Sequence, residues 1–202
     1  SERVYRPTVA ASFAMEAAVN VRTCFYRSGY DISVPLAPKS IFPELATVHP
    51  LGRRFFLAFK GTVYISGGGG SAERMPLVPL HDPGNGIAVV MHCFEIHGAH
   101  LLPENVDFCA NLKSTYGKYT YSDVMNTTFA LVPAGRSPAS FRLGEVMSAG
   151  AIPVFVSKST VRPFAEELDW SAFSFVFSPD QAGSEMVKAL RAVPREEIET
   201  MQ

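Results

Sequence analysis

TFALVPAGRSPASFRLGEVMSAGAIPVFV, residues 128–156, is the stretch that decides the fold. Its first five residues, Thr128 to Val132, are an apolar run rich in β-branched and aromatic side chains, and its last five, Ile152 to Val156, are another. Such runs read as buried strands. Between them the pattern predicts a helix from Pro138 to about Ala149: Ser137 can cap it, Pro138 suits its first position, and Gly150 suits the left-handed residue beyond its end. Two strands joined by a helix with almost no spare chain make a right-handed crossover packed on a parallel sheet.

Outward from this unit the alternation continues. Arg54 to Phe59, Ile87 to Met91 and Phe173 to Phe177 read as three more strands, each bounded by Gly, Pro, Ser or Asp. Five strands suffice for an α/β fold with a Rossmann-like parallel sheet and flanking helices. Further helices are expected over 119–125, 181–192 and 194–201, the last with Pro194 at its start. Residues 30–34 carry a weak strand, and a linker through Pro35, Pro38, Pro43 and Pro50 follows. There is no internal repeat, and low complexity is confined to the run from Ser66 to Ser71.

The chain has 202 residues, with 18 Lys+Arg against 19 Asp+Glu and a formal charge of −1. That balance excludes the basic footprint of a nucleic-acid binder and an acidic disordered tail. A hydrophobic content of 47% with 18% charged residues is that of a folded protein. No apolar run is long enough to span a bilayer, and the opening residues lack a signal-peptide pattern. The chain reads as an excerpt of something longer, with any targeting segment or membrane anchor outside it.

In an open parallel sheet, ligands collect beyond the carboxyl ends of the strands, where helix N-termini present free N–H groups. The segment after Val132 carries Gly135, Arg136 and Ser140, a flexible residue, a cation and a hydroxyl that together suit a diphosphate. Arg142 and Glu145, three apart, share a helix face, and a carboxylate there can accept two hydrogen bonds from a ribose diol. The same spacing also fits a solvated ion pair on an ordinary helix. Lys60 and Gly61 close another strand and are placed for a ligand contact. The glycines at 67–70 fit a loose phosphate fingerprint, but nothing regular flanks them, and they read as a surface loop. No Asp-x-Asp pair is present for a divalent metal, and no hydrolase elbow appears. Among the cysteines, Cys93 and Cys109 could form a disulfide, join His92, His97 and His100 in a metal cluster, or stay as packing thiols, and spacing does not choose. Asn126 opens a sequon that would accept a glycan in a secretory protein.

Four ordered stretches carry a family resemblance: RSGYDISVP at 27–35, RRFFLAFKG at 53–61, YSDVMNTTFALVPAGR at 121–136 and SFRLGEVMSAGAIPV at 140–154, the last continuing to Pro163-Phe164 and Leu168-Asp169-Trp170. Together they resemble the exostosin-type glycosyltransferases of family 47. The resemblance implies the C-terminal, nucleotide-sugar-binding half of a GT-B fold, with residues 35–202 as that domain and 1–34 as a remnant of the preceding half. It implies inverting transfer from a nucleotide sugar, commonly a UDP-sugar, to a glycan acceptor, in a type II membrane protein of the Golgi lumen. Carried over by position, Arg136, Ser140, Arg142 and Glu145 would line the donor site with Lys60, Gly61 and Gly135 nearby, and Cys93 with Cys109 is similar to a family cysteine pair. No metal or other cofactor is implied. The missing N-terminal half, and a segment from Ser66 to Asn85 broken by Pro76, Pro79 and Pro83 where a regular helix is expected, leave a second reading. In it the chain is a non-catalytic module or partner subunit that keeps the fold, with room for a homo- or hetero-oligomer.

Overall fold

A computed structural model describes residues 17–18, 22–65, 70–94, 103–135, 139–157 and 159–202. The five apolar runs form one parallel sheet of strands β3 (Phe55–Val63), β4 (Ile87–Cys93), β5 (Thr127–Pro133), β6 (Ile152–Val156) and β7 (Phe175–Phe177), in the order β4-β3-β5-β6-β7. The short strands β1 (Ala17–Ala18) and β2 (Ile32–Ser33) pair with each other in a separate sheet. Residues 22–33 lie against the loop after β6: Thr23 donates to Ser159 O and Phe164 to Ser33 O.

Apolar runs rather than alternation mark β3 to β6 because both faces of the sheet are covered there, while the edge strand β7 leaves Val176 exposed. On one face Leu57, Phe59, Val89, Met91, Phe129 and Leu131 pack with Met186, Leu190, Ile198 and Met201 from helices α5 (Ser184–Arg191) and α6 (Arg195–Met201). On the other, Ala58, Val90, Ala130, Val132 and Phe155 meet Val124 and Met125 of α3 (Tyr121–Met125), Leu143 and Val146 of α4 (Arg142–Ser148), and Trp170. β5 is buried at all seven positions, as the middle of a three-layer sandwich requires.

The helix of the deciding stretch starts later than its local signals suggest. α4 begins at Arg142, not Pro138; Ala139 and Ser140 are outside it, and residues 136–138 are outside the described residues. The Ser140 hydroxyl accepts the Arg142 N–H at 3.3 Å, the task expected of Ser137. Gly150 is left-handed, with φ +63°, as anticipated. Arg53 closes that end of the helix from inside the core, donating to the carbonyls of Ala149 (2.9 Å), Gly150 (2.9 Å) and Leu45 (3.1 Å). Pro194 caps α6 rather than opening it.

One further helix was not expected. α2 (Pro103–Tyr116) covers the edge strand β4, turning Phe108, Cys109 and Leu112 toward the core. A Cys93–Cys109 disulfide, with Cα atoms 5.6 Å apart, fastens it there. The bond removes both sulfur ligands from the alternative metal cluster, whose His97 and His100 lie outside the described residues. α1 (Ser71–Arg74) is a single turn that passes into a 3-10 stretch, Met75–Leu80, where Pro76 and Pro79 prevent a regular α-helix.

Candidate functional site

The sheet order places a topological switch between β3 and β5: from β3 the chain crosses first to β4 on one side, then to β5 on the other. The loops leaving the carboxyl ends of those two strands diverge there and leave a crevice. A cleft of about 520 Å³ occupies it. β3 and its continuation supply Phe59, Gly61, Thr62 and Tyr64; the segment after β5 supplies Gly135 and Ser140; α4 supplies Arg142 and Glu145. Leu36, Lys39 and Ser40 of the Pro-rich linker form part of the remaining wall, and Arg74, the last residue of α1, completes it.

Two buried guanidiniums dominate this cleft. Arg74 is 8% exposed; its Nε donates to Ala134 O at 3.0 Å and its Nη1 to Thr62 O at 2.7 Å. Arg142 is 9% exposed; its Nη2 donates to Lys60 O at 2.5 Å and its Nη1 to Glu145 Oε2. The Arg142 Nε is buried without a partner among the described residues. Both cations sit over the Phe59 ring, at 5.6 Å for Arg74 and 5.8 Å for Arg142. Arg74 also lies over Tyr64, and Arg142 over Tyr121. Burial pulls the Arg74 guanidinium below its ordinary pKa, and the Arg142 charge pulls the same way against Tyr64. The described lining thus holds three cations, Lys39, Arg74 and Arg142, against one carboxylate, Glu145. An anion entering here meets fixed, desolvated donors.

Two glycines make the arrangement possible. A Cβ on Gly61 would sit 2.6 Å from Phe59 Cζ, so only glycine lets that ring fold beneath the guanidiniums. Gly70 has φ +88°, and a Cβ there would lie 2.6 Å from Gly135 O and 3.0 Å from Ala134 O. The end of the glycine run is therefore packed against the loop after β5, not spread on the surface as its sequence suggested. Residues 66–69 lie outside the described residues.

Of the residues expected from sequence, Gly61, Gly135, Ser140, Arg142 and Glu145 come together in this cleft. The Arg142–Glu145 pair is real but buried rather than solvated, so one Glu145 oxygen is already engaged. Lys60 turns its side chain away: Nζ donates to Tyr116 O at 2.7 Å and stands 3.2 Å from the centre of that ring, leaving the Lys60 carbonyl as its contribution. Burial, then the Arg142 charge, hold the Lys60 ammonium below its ordinary pKa against an opposing pull from Asp123. Arg136 lies outside the described residues. Asn126 is half-buried at the start of β5, where its Oδ1 accepts the Arg54 N–H at 3.2 Å, and the sequon's Thr128 hydroxyl is buried against Pro50 O. Arg74 escaped the sequence reading; a cation four residues after the glycine run, on the loop leaving β3, was the signal available.

Comparison with known proteins gives a coherent result. The Exostosin GT47 domain matches residues 5–193. Exostosin-1 of Drosophila melanogaster is 33% identical over 197 residues, covering 93% of this chain and 25% of that protein. Exostosin-1 of Bos taurus is 31% identical over 194 residues, covering 92% and 25%. Exostosin-1a of Danio rerio is 34% identical over 166 residues, covering 78% and 22%. The chain spans about a quarter of the length of these relatives.

Proposed function

The chain belongs to the exostosin GT47 family, and from that premise we propose that its cleft binds a nucleotide sugar, a UDP-sugar, as the donor half of an inverting glycosyltransferase. The observation that carries this is the convergence of two buried arginines, Arg74 and Arg142, at the switch point of a parallel sheet. Fixed guanidiniums neutralise the charge that builds on a departing diphosphate, the task a divalent metal performs in other transferases. Arg136, one residue beyond Gly135, would add a third arginine. Glu145 turns its remaining oxygen to the ribose diol while Arg142 holds the other. The full protein would act on a glycan acceptor in the Golgi lumen, anchored as a type II membrane protein. No helix among the described residues is long and apolar enough to cross a membrane.

A specific observation keeps a second reading in play. Inverting transfer needs a base for the acceptor hydroxyl, and the one carboxylate among the described lining residues is already paired with Arg142. A chain that binds the donor but serves as a non-catalytic module or partner subunit satisfies the same geometry. Titration of UDP and UDP-sugars followed by amide shifts tests the donor site. Shifts centred on Gly61, Gly135, Ser140 and Arg142 are expected, and silence at millimolar nucleotide refutes it. Transfer to a glycan acceptor by the full-length gene product then separates enzyme from module.

A further inference from the structure

His92, singled out in the sequence only as a metal-ligand candidate, has a different place in the fold. It stands on β4 directly across the ladder from Thr62 of β3. Its Nε2 lies 3.1 Å from Thr62 Oγ1, and its Nδ1 lies 3.1 Å from the carbonyl oxygen of Cys93. A backbone carbonyl can only accept, so Nδ1 carries the proton, and in the neutral ring Nε2 is left as a bare acceptor. The Thr62 hydroxyl must then donate to Nε2. The ring is held edge-on against Tyr116, with centroids 4.7 Å apart, and Cys93 itself is tied to α2 by the disulfide. Thr62 lines the cleft and is half-buried. With its one proton committed to His92, its oxygen has only lone pairs to offer a ligand.

Resting on the donor-site reading above, we propose that Thr62 accepts a hydrogen bond from a sugar hydroxyl of the bound nucleotide sugar, and that His92 is the positioning residue that fixes this polarity. A phosphate oxygen is also an acceptor and gains nothing at such an atom; the arginines serve it instead. A hydroxyl is the group that complements Thr62, either on the ribose or on the transferred sugar. The backbone carbonyl behind His92 orients the ring without a carboxylate's charge, so the pair sets direction rather than driving proton transfer.

The tautomer is read directly from imidazole nitrogen shifts of the histidine-labelled chain at about pH 8, where an ordinary ring is neutral. A His92 protonated on Nδ1 is expected, and one protonated on Nε2 overturns the proposal whatever the nucleotide does. For the ligand, pyrophosphate, UDP and a panel of UDP-glucose, UDP-galactose and UDP-glucuronate are titrated against wild type, Thr62→Val and Thr62→Ser. Thr62→Val, which keeps the shape, should weaken the tightest UDP-sugar about fivefold to tenfold and leave pyrophosphate within about twofold, while Thr62→Ser stays near wild type. Loss confined to the UDP-sugar assigns the transferred sugar, and equal loss with UDP assigns the ribose. Loss on pyrophosphate as well, or no loss at all, overturns this inference alone. Failure of wild type to bind any nucleotide overturns the donor reading and this inference with it.

Discussion

Gly70→Ala probes whether the glycine run is a wall of the cleft or a loop beside it. At φ +88° an alanine carries left-handed strain of about 1–2 kcal/mol. Its Cβ would also stand 2.6 Å from Gly135 O and 2.8 Å from Gly135 C, where ordinary contact begins at 3.4 Å. Backbone must therefore move by about 0.8 Å, and overpacking of that kind adds about 1–3 kcal/mol. The sum, roughly 2–5 kcal/mol, lowers the unfolding midpoint by roughly 10 °C in a chain of this length. Two other glycines separate the terms. Gly29 has φ +77° but nothing within 4 Å of an added Cβ, so Gly29→Ala reads the strain alone at about 1 kcal/mol. Gly183 is extended and open, so Gly183→Ala should stay within about 0.5 kcal/mol of wild type. Urea unfolding of the three variants gives the order directly. Because Gly135 lines the cleft, Gly70→Ala alone should also weaken UDP binding. Equal stability for Gly70→Ala and Gly29→Ala would refute the packing argument.

Arg74→Met keeps the stem but removes the charge and two carbonyl hydrogen bonds, and should weaken UDP roughly tenfold to a hundredfold while barely changing uridine; calorimetry showing equal losses would point to a misfolded site instead. Replacing Cys93 and Cys109 by serine opens a loop closed across 16 residues and should reduce stability by about 3 kcal/mol; an unchanged midpoint with and without reductant would show that the bond does not form. Burial, opposed by Asp82, holds the His81 imidazole below its ordinary 6.5, and its Nδ1 is buried without a partner among the described residues. The native ring thus stays neutral while the unfolded chain takes up its proton first, so stability should fall as the pH drops below about 6.5. His81→Phe should flatten that dependence in midpoints measured at pH 5 and pH 7.

The sheet was legible because burial on both faces writes strands as uninterrupted apolar runs. Less legible were the features that depend on contacts distant in sequence. Ser137-Pro138 is a sound helix start locally, yet the chain uses Ala139 to Phe141 to wall the cleft and begins α4 at Arg142. α2 has few apolar residues, with Val106 half exposed, and depends on the disulfide and the edge of β4 rather than on its own pattern. Lys60 and Gly61 were expected at a strand end, but pairing with β4 carries β3 on to Val63, and the Lys60 side chain is held by Tyr116, 56 residues away. Nothing near Arg74 announces burial, since its partners are the carbonyls of Thr62 and Ala134, 12 and 60 residues distant. The Arg142–Glu145 spacing named the pair but could not say whether water surrounded it.

That last distinction governs what the cleft can do. A guanidinium left in water brings little to phosphate binding, because hydration and screening compete with the ligand. Arg74 and Arg142 have already lost most of that water, and the carbonyls of Ala134, Thr62 and Lys60 hold their planes in position. Their desolvation is met during folding, at the expense of stability, by the Phe59 ring, these carbonyls and a single carboxylate. The described lining of the cleft therefore carries an excess of positive charge. An anion that enters needs no rearrangement of these donors, so most of its charge–charge attraction survives as binding. Glu145 limits the effect in a useful way: it holds Arg142 at the cleft wall while leaving Arg74 without a carboxylate of its own among the described lining residues. By charge alone, a diphosphate with two charged groups complements that imbalance better than a single carboxylate or a neutral sugar.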